Sequence, residues 1–332
     1  MSAETTSTRE ATPVGPTLAR HHGVKLLRTY GIVISLVVLV AGASIGTSKF
    51  LTLANLLSVM GQWAPEGVMA VGLTFVILTG GFDLSIAAVY TLCAVVAAAI
   101  GVHHDPALAF AAAIAAGIAV GGVNGLVIAG ANLNPFITTL GASFVVTGVT
   151  FLWTSQNYVV QNPGFGELGS GSFIGIPYLA YILIGALLIG GFVLRQTTYG
   201  QAIYAVGGNV EASRLSGIPV RRMLASTYVI SGLCAAIGGV LSASQVSSAT
   251  ASTDPAVLFD VVTVVVVGGN SLSGGFGGMW RTAVGIGIVA TMSNAFNLLG
   301  VDPNYQYIVK GFIIVGALAL DAYARKLSGA TA

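Results

Sequence analysis

The sequence predicts an all-α membrane protein, a polytopic bundle of about ten transmembrane helices. Of its 332 residues, 55% are hydrophobic and only 7% are charged, which is too few charges to cover a soluble domain of this length. Glycine is abundant, at 45 residues, and small residues allow membrane helices to approach closely. Apolar runs recur from residue 29 to residue 323, which indicates repeated crossing of a membrane.

The individual spans are predicted from apolar runs of about 20 residues, the length that crosses the hydrocarbon layer. They cover residues 29–47, 57–80, 84–101, 106–130, 135–154, 177–194, 223–245, 257–269, 280–299 and 304–323. Pro65 with Gly67 is expected to break the second run. The eighth run is short, and it either crosses the membrane as a tilted helix or re-enters on one side.

Basic residues set the predicted orientation, because Lys and Arg are retained on the cytoplasmic side. With ten crossings and both termini cytoplasmic, 11 of the 13 basic residues face the cytoplasm, while Lys49 lies outside and Lys310 lies within a span. Residues 1–28 are predicted to form a disordered cytoplasmic basic tail, residues 29–324 the transmembrane domain, and residues 325–332 a cytoplasmic C-terminal tail. We expect an uncleaved first span rather than a signal peptide.

The longest predicted cytoplasmic loop, residues 195–222, contains a pattern typical of a short helix. Asn209 is suited to cap the start of a helix over residues 210–216, and Gly217 is suited to end it. Such a helix would lie in a groove on a partner protein, with Ala212 and Leu215 as anchors. A solvated connector would show the same pattern, and the pattern alone does not decide between them.

Ionisable residues within spans are costly and mark candidate sites. Asp83 either caps the helix of the third span, which is the preferred interpretation, or pairs with Lys310. Glu66, in the broken second run, either faces a solute pathway or satisfies backbone donors freed by the break. Asn294 and Asn297 are three residues apart and share a helix face, which either lines the pathway or joins helices. The helix-joining interpretation is slightly favoured.

Five sequence blocks follow one another in a fixed order: TGGFDLS at 79–85, NPFITTLG at 134–141, GQAIYAVGGNVEASRLSGIPV at 200–220, VGGNSLSGG at 267–275 and QYIVKG at 306–311. Together they resemble the permease subunits of ribose-type ABC importers. The structural motif residues Asp83, Pro135 and Lys310 lie in these blocks. Two departures stand out: Phe82 replaces the usual Ile, and Trp280-Arg281 follows the last glycine cluster.

The resemblance implies a transport subunit of the bacterial cytoplasmic (inner) membrane rather than an enzyme. It implies a second permease copy, a cytoplasmic ATPase and a periplasmic or lipid-anchored sugar-binding protein as partners. The chain has no phosphate-binding motif of the form GxxxxGK[ST], so ATP is expected to bind to the partner. We expect no cofactor, metal or nucleic acid. The predicted ATPase-coupling residues are Gly208, Asn209, Glu211, Ala212, Ser213, Arg214, Leu215, Ser216 and Gly217.

The implied substrate is a monosaccharide or related small polyol, although the sequence does not identify which one, nor whether the permease pair is a homodimer. The nearest alternative is a permease for branched-chain amino acids, but the blocks at 79–85 and 306–311 favour the sugar group. An ion-coupled secondary transporter would be expected to show an internal repeat and a pair of ionisable residues at mid-membrane. The sequence shows no clear repeat and no Asp/Glu/His relay, so this alternative is less well supported.

Overall fold

The computed structural model describes residues 17–327, which are almost entirely helical. The helices are α1 (Thr17–Gly46), α2 (Leu53–Gln62), α3 (Ala64–Leu78), α4 (Ile86–Gly101), α5 (Pro106–Ala131), α6 (Pro135–Trp153), α7 (Pro163–Ser170), α8 (Tyr178–Gln196), α9 (Thr198–Gly208), α10 (Val210–Leu215), α11 (Val220–Val246), α12 (Pro255–Val267), α13 (Met279–Leu298) and α14 (Pro303–Leu327). The short strands are β1 (Tyr158–Val159), β2 (Ser172–Phe173), β3 (Ile176–Pro177) and β4 (Ser248–Ala249).

Four helices in the described part of the chain are each long and apolar enough to cross a membrane: α5, α6, α8 and α11. The pair α2 and α3 makes a fifth if it is counted as one broken span, since the two helices meet at a bend of 51°. Shorter apolar helices cover Gly31–Gly46, Ile86–Gly101 and Pro255–Val267. These findings establish a helical protein with several membrane-spanning segments.

Each predicted span overlaps one observed helix or, in the second span, the bent pair. The predicted break at Pro65 is confirmed, because α3 begins at Ala64 with the proline in its first turn, directly after Trp63. The eighth run forms α12, whose 13 residues extend only about 20 Å.

The N-terminal boundary differs from the prediction. Helix α1 begins at Thr17, so residues 17–28 of the predicted disordered tail are helical. Residues 1–16 of that tail, and residues 328–332 at the other end, lie outside the described part of the chain.

Helix α11 lies at the centre of the bundle and packs against α3, α4 and α5. Glycines make this packing close. A Cβ on Gly121 would collide with the backbone of Tyr228 and Gly232, and one on Gly125 would meet the backbone of Ala225. Because lipid gives helices no hydrophobic reason to associate, this close backbone contact contributes to the attraction between α5 and α11.

At one end of the bundle, the loop between α6 and α8 packs against the loop between α11 and α12. Strand β1 pairs with β4 in an antiparallel arrangement, and the Val160 amide donates to the Ser247 carbonyl at 2.9 Å. Ser244 at the end of α11 donates to the Phe165 carbonyl at 2.5 Å and accepts from the Gly169 amide at 2.8 Å. Helix α7 is thereby fixed over the end of α11.

Candidate coupling surface and polar sites in the bundle

The short helix α10 has a defined start and a defined end. The Asn209 side-chain oxygen accepts from the Ala212 amide at 2.9 Å, which satisfies a free donor of the first turn. At the other end Gly217 has φ +81°, and the amides of Gly217 and Ile218 donate to the carbonyls of Arg214 and Ser213. This is a Schellman motif, which needs a residue that tolerates a left-handed conformation. The predicted helix and both of its caps are confirmed.

The outward face of α10 has no partner within the described residues. Leu215 is 87% exposed, and Ala212 is also exposed, whereas Ser213 is buried. Glu211 and Arg214 form an ion pair of 3.1 Å on the exposed side. An exposed pair of this kind contributes about 0–1 kcal/mol, so it leaves both charges available to another protein.

Helix α9 directly precedes α10 in the chain, and it packs closely against the end of α3. A Cβ on Gly207 would overlap the Leu78 carbonyl oxygen and the Gly275 amide nitrogen, two atoms that bond to each other at 2.9 Å. The Tyr204 hydroxyl donates to the Gly277 carbonyl at 3.2 Å. Glycine at position 207 is therefore what allows α9 to touch both backbones at once.

Tyr199 joins the same helix to α11. Its hydroxyl lies 2.6 Å from the Ser226 hydroxyl. Burial raises the pKa of Tyr199, against the opposing effect of the hydrogen bond with Ser226, so the phenol stays protonated at neutral pH. Ile203 and Val206 are buried on the same helix. Helix α9 is thus attached to α3, to α11 and to the glycine-rich turn after α12.

The glycine-rich turn, residues 268–278, is shaped by Asn270. Its amide group donates to the Val265 carbonyl at 2.9 Å and to the Thr282 hydroxyl at 3.1 Å, and its oxygen accepts from the Gly278 amide at 2.7 Å. Gly274 and Gly275 have φ of +81° and +70°. These positions require glycine, since other residues rarely adopt such a backbone conformation.

Trp280 and Arg281, in the first turn of α13, lie directly after this turn. Arg281 is only 5% exposed and donates to the Gly269 carbonyl at 3.2 Å. Its guanidinium lies over the rings of Phe276 and Trp280, 4.6 and 4.8 Å from their centroids. Cation–π contacts of this kind contribute about 0.5–2 kcal/mol. Arg281 therefore ties the turn to the start of α13 through Gly269 and Phe276.

Asp83 is buried at the entrance to α4. One carboxylate oxygen accepts from the Ser85 amide at 3.0 Å and the Ser85 hydroxyl at 2.6 Å, and the other accepts from Ser231 at 2.6 Å. Asn124 donates to the Ser85 hydroxyl at 2.9 Å. The N-cap position of α4 is Ser85, so Asp83 closes the turn before the helix rather than capping it directly. The alternative of an Asp83–Lys310 pair is wrong.

Lys310 instead forms an ion pair with Asp260. Nothing in the sequence indicated this pairing. The Lys310 ammonium lies 2.6 Å from an Asp260 carboxylate oxygen, and the two side chains are 11% and 15% exposed. The pair lies in a groove of about 400 Å³ between α12 and α14. Its two members are 50 residues apart in the sequence, which is why spacing alone could not reveal it.

Glu66 lies just after the bend between α2 and α3. Its Oε2 atom is buried with no hydrogen-bond partner among the described residues. A buried polar atom without a partner is rare and calls for an explanation, such as a ligand that the site is built to bind.

Asn294 and Asn297 are engaged with neighbouring side chains. Asn294 and Asn55 exchange two amide hydrogen bonds, at 2.9 and 3.0 Å, which join α13 to α2. Asn297 accepts from Gln306 at 3.0 Å, which joins α13 to α14. Both residues link helices in this structure, as the favoured interpretation of the sequence expects.

Pro135 occupies the first turn of α6, where its missing N–H costs nothing. Asn134 precedes it and caps the helix by accepting from the Phe136 amide at 2.9 Å. Thr139, one turn further on, accepts from the Leu84 amide at 3.0 Å. Two sequence blocks that are about 50 residues apart therefore meet at the entrance to α4.

Comparison with known proteins shows that most of the chain is similar to transport proteins. A family profile described as "Branched-chain amino acid transport system / permease component" matches residues 55–318. The ribose import permease protein RbsC of Bacillus subtilis is 39% identical over 306 residues, which cover 91% of this chain and 95% of that protein. RbsC of Escherichia coli K12 is 38% identical over 296 residues, covering 87% and 92%.

An arabinose permease matches over a still longer stretch. The L-arabinose ABC transporter permease protein AraH of Azospirillum brasilense is 35% identical over 327 residues, which cover 98% of this chain and 96% of that protein. No solved structure gives a significant match.

Proposed function

This chain belongs to the family of ABC-importer permeases described as the permease component of branched-chain amino acid transport systems, and from that membership we propose that it carries a monosaccharide or small polyol across the bacterial cytoplasmic (inner) membrane. It is a transport subunit and not an enzyme, and the hydrolysis of ATP belongs to a separate partner. One observation carries the sugar assignment: the ribose and arabinose permeases match it at 35–39% identity over most of their length.

We propose ten crossings with both termini in the cytoplasm. The distribution of basic residues supports this topology. Contacts between loops on the same proposed side of the membrane also support this topology. The proposed periplasmic loops meet through β1 and β4, and α9 meets the end of α3 and the glycine-rich turn, which are all proposed to be cytoplasmic. Helix α12 is short for a full crossing, so in this topology it spans the membrane together with its flanking turns.

The proposed partners are a second copy of this chain, a cytoplasmic ATPase and a periplasmic or lipid-anchored sugar-binding protein. Residues 208–217 form the ATPase-docking surface. Its apolar contact is Leu215, which is 87% exposed, and its charged contacts are Glu211 and Arg214. A displacement of α10 would pass through α9 to α3 at Gly207, and to α11 at Tyr199.

In the membrane, we propose that Glu66 faces the solute pathway. Its unpartnered Oε2 supports this, because a sugar hydroxyl is a suitable donor for a free carboxylate oxygen. Asn294 and Asn297 would line the same pathway by exchanging their present partners, Asn55 and Gln306, for solute hydroxyls.

Transport of branched-chain amino acids is the second candidate, and the description of the matched family favours it. Such a substrate carries both an ammonium and a carboxylate group at neutral pH. The buried charged pair Asp260–Lys310 is already neutralised internally at 2.6 Å, which suits a neutral solute better than a zwitterion.

Reconstitution in proteoliposomes tests the assignment. The permease, its ATPase and its binding protein are reconstituted together, and uptake of radiolabelled ribose, arabinose and leucine is measured with and without ATP. We expect ATP-dependent uptake of a sugar. Uptake of leucine alone would favour the second candidate, and sugar uptake without any ATPase would contradict the ABC mechanism.

Variants of α10 test the docking surface in the same vesicles. Burial of a leucine side chain is worth about 1.5–3 kcal/mol, so Leu215→Ser should weaken ATPase binding roughly 10- to 100-fold. Glu211→Gln and Arg214→Gln should each lower sugar-stimulated ATP hydrolysis. Glu167→Gln, an exposed acid on α7, is the matched control and should leave hydrolysis unchanged. Normal coupling in all three α10 variants would place the dock elsewhere.

A further inference from the structure

The groove between α12 and α14 has a chemistry that does not suit contact with lipid. It is lined by Ala256, Phe259, Asp260, Tyr307, Lys310 and Val315 and has a volume of about 400 Å³. It opens on the outside of the chain, yet it contains the ion pair of Asp260 and Lys310. A charged pair that faces hydrocarbon is costly, and such groups normally face protein or a water-filled cavity.

A second groove provides the contrast. It lies between α4, α5 and α6, has a volume of about 480 Å³, and is lined mainly by valine and alanine. Its polar members have internal partners, since Asn124 donates to Ser85 and Thr138 donates to the Asn134 carbonyl. This groove suits lipid chains, so grooves on the surface of this protein are not all alike.

Asp260 and Lys310 also lie at similar depths in the proposed membrane. Asp260 is about 8 Å along α12 and Lys310 about 10 Å along α14, counted from helix starts that both follow proposed periplasmic loops. Glu66 is in the first turn of α3, on which α12 packs. Helices α3, α12 and α14 therefore all place ionisable side chains in the proposed outer half of the bundle.

We infer that the groove between α12 and α14 contains water and forms part of the solute pathway. Asp260, Lys310 and Tyr307 contact a neutral polyhydroxyl solute there. The pair offers both acceptors and donors while its net charge is zero. Tyr307 is 52% exposed at the groove and presents a ring face together with a hydroxyl, which suits the mixed apolar and polar surface of a sugar. The contact with solute rests on the proposed sugar transport, whereas water access does not.

Cysteine labelling tests water access without any transport. The two natural cysteines, Cys93 and Cys234, are buried and free, so the unmodified protein provides a low background. Tyr307→Cys is treated with a cationic, membrane-impermeant methanethiosulfonate reagent in vesicles. Val149→Cys, which is 52% exposed in the apolar groove, is the matched control. We expect Tyr307→Cys to react at least about 10-fold faster, since thiolates form readily only in water. Equal rates would overturn the inference.

Uptake by charge variants tests the contact with solute. Asp260→Asn and Lys310→Gln should each lower uptake at least about 10-fold, because each removes a charged hydrogen-bonding group. The charge-exchanged double variant D260K/K310D restores an ion pair, but it should not restore uptake if the residues contact solute. Full recovery in that variant would indicate a purely structural pair and overturn the assignment. Lys49→Gln, outside the groove, should transport normally.

The two failures are distinguishable. If the unmodified protein takes up no sugar with its partners, the proposed function fails, and the labelling rates still decide whether the groove contains water.

Discussion

Replacing Gly207 by alanine should loosen the joint between α9 and the rest of the bundle. The added Cβ would overlap the Leu78 carbonyl oxygen on one side and the Gly275 amide nitrogen on the other. Both are backbone atoms, and they form a hydrogen bond of 2.9 Å that the methyl group would push apart. Neither can be avoided by rotating a side chain, so α9 itself must move.

The loss of stability expected for Gly207→Ala has two contributions, overpacking and a broken backbone hydrogen bond. Overpacking costs about 1–3 kcal/mol, and a buried backbone group left without its partner costs about 1–3 kcal/mol. Gly208→Ala is the matched control, because a Cβ at that position has nothing within 4 Å. Both positions lie in the last turn of α9, so the difference between the two variants mainly reports the collision.

The assay is thermal unfolding of the purified protein in detergent, followed by uptake in vesicles. We expect Gly207→Ala to melt about 4 °C or more below Gly208→Ala. If α9 transmits movement from α10, Gly207→Ala should also reduce sugar uptake per ATP hydrolysed. Equal melting temperatures for the two variants would refute the packing argument.

Three further predictions concern buried hydrogen bonds. Asn55→Leu and Asn294→Leu should each destabilise the protein by about 1–3 kcal/mol, because each leaves one amide unsatisfied. The double variant should recover most of that loss in a melting experiment, and additive losses would contradict the pairing. Ser231→Ala removes a donor to Asp83 and should lower the melting temperature, whereas a melt like that of the unmodified protein would show that the bond is not needed. Asn270→Ala removes three hydrogen bonds from the glycine-rich turn, so protease cleavage within that turn should become faster, and an unchanged cleavage pattern would refute its role.

The role of the glycine-rich turn became clear only when its sequence and its packing were considered together. The sequence indicates a backbone role for residues 268–275, because the cluster lacks the Lys-Ser/Thr of a nucleotide site. The structure shows that this backbone is the surface on which α9 rests, through Gly275 and Gly277. The glycine cluster thereby provides the backbone surface against which α9 packs.

The positions of most helices could be predicted because each depends on local sequence. Apolar runs, prolines in first turns and capping residues are readable along the chain, and α10 with its Asn209 and Gly217 caps followed from them directly. The start of α1 at Thr17 could not be predicted from apolarity, since residues 17–28 are polar. Helix formation does not require an apolar sequence.

By itself, the sequence determined the class of protein, the helical segments and the surface residues of α10, because composition and local pattern carry that information. Only the tertiary structure decided the partners: Lys310 with Asp260 rather than Asp83, Asn294 with Asn55, and Gly207 between α3 and the glycine-rich turn. These contacts join segments that are far apart in the chain. Which distant side chains meet depends on how the helices pack, and that packing is a property of the whole bundle.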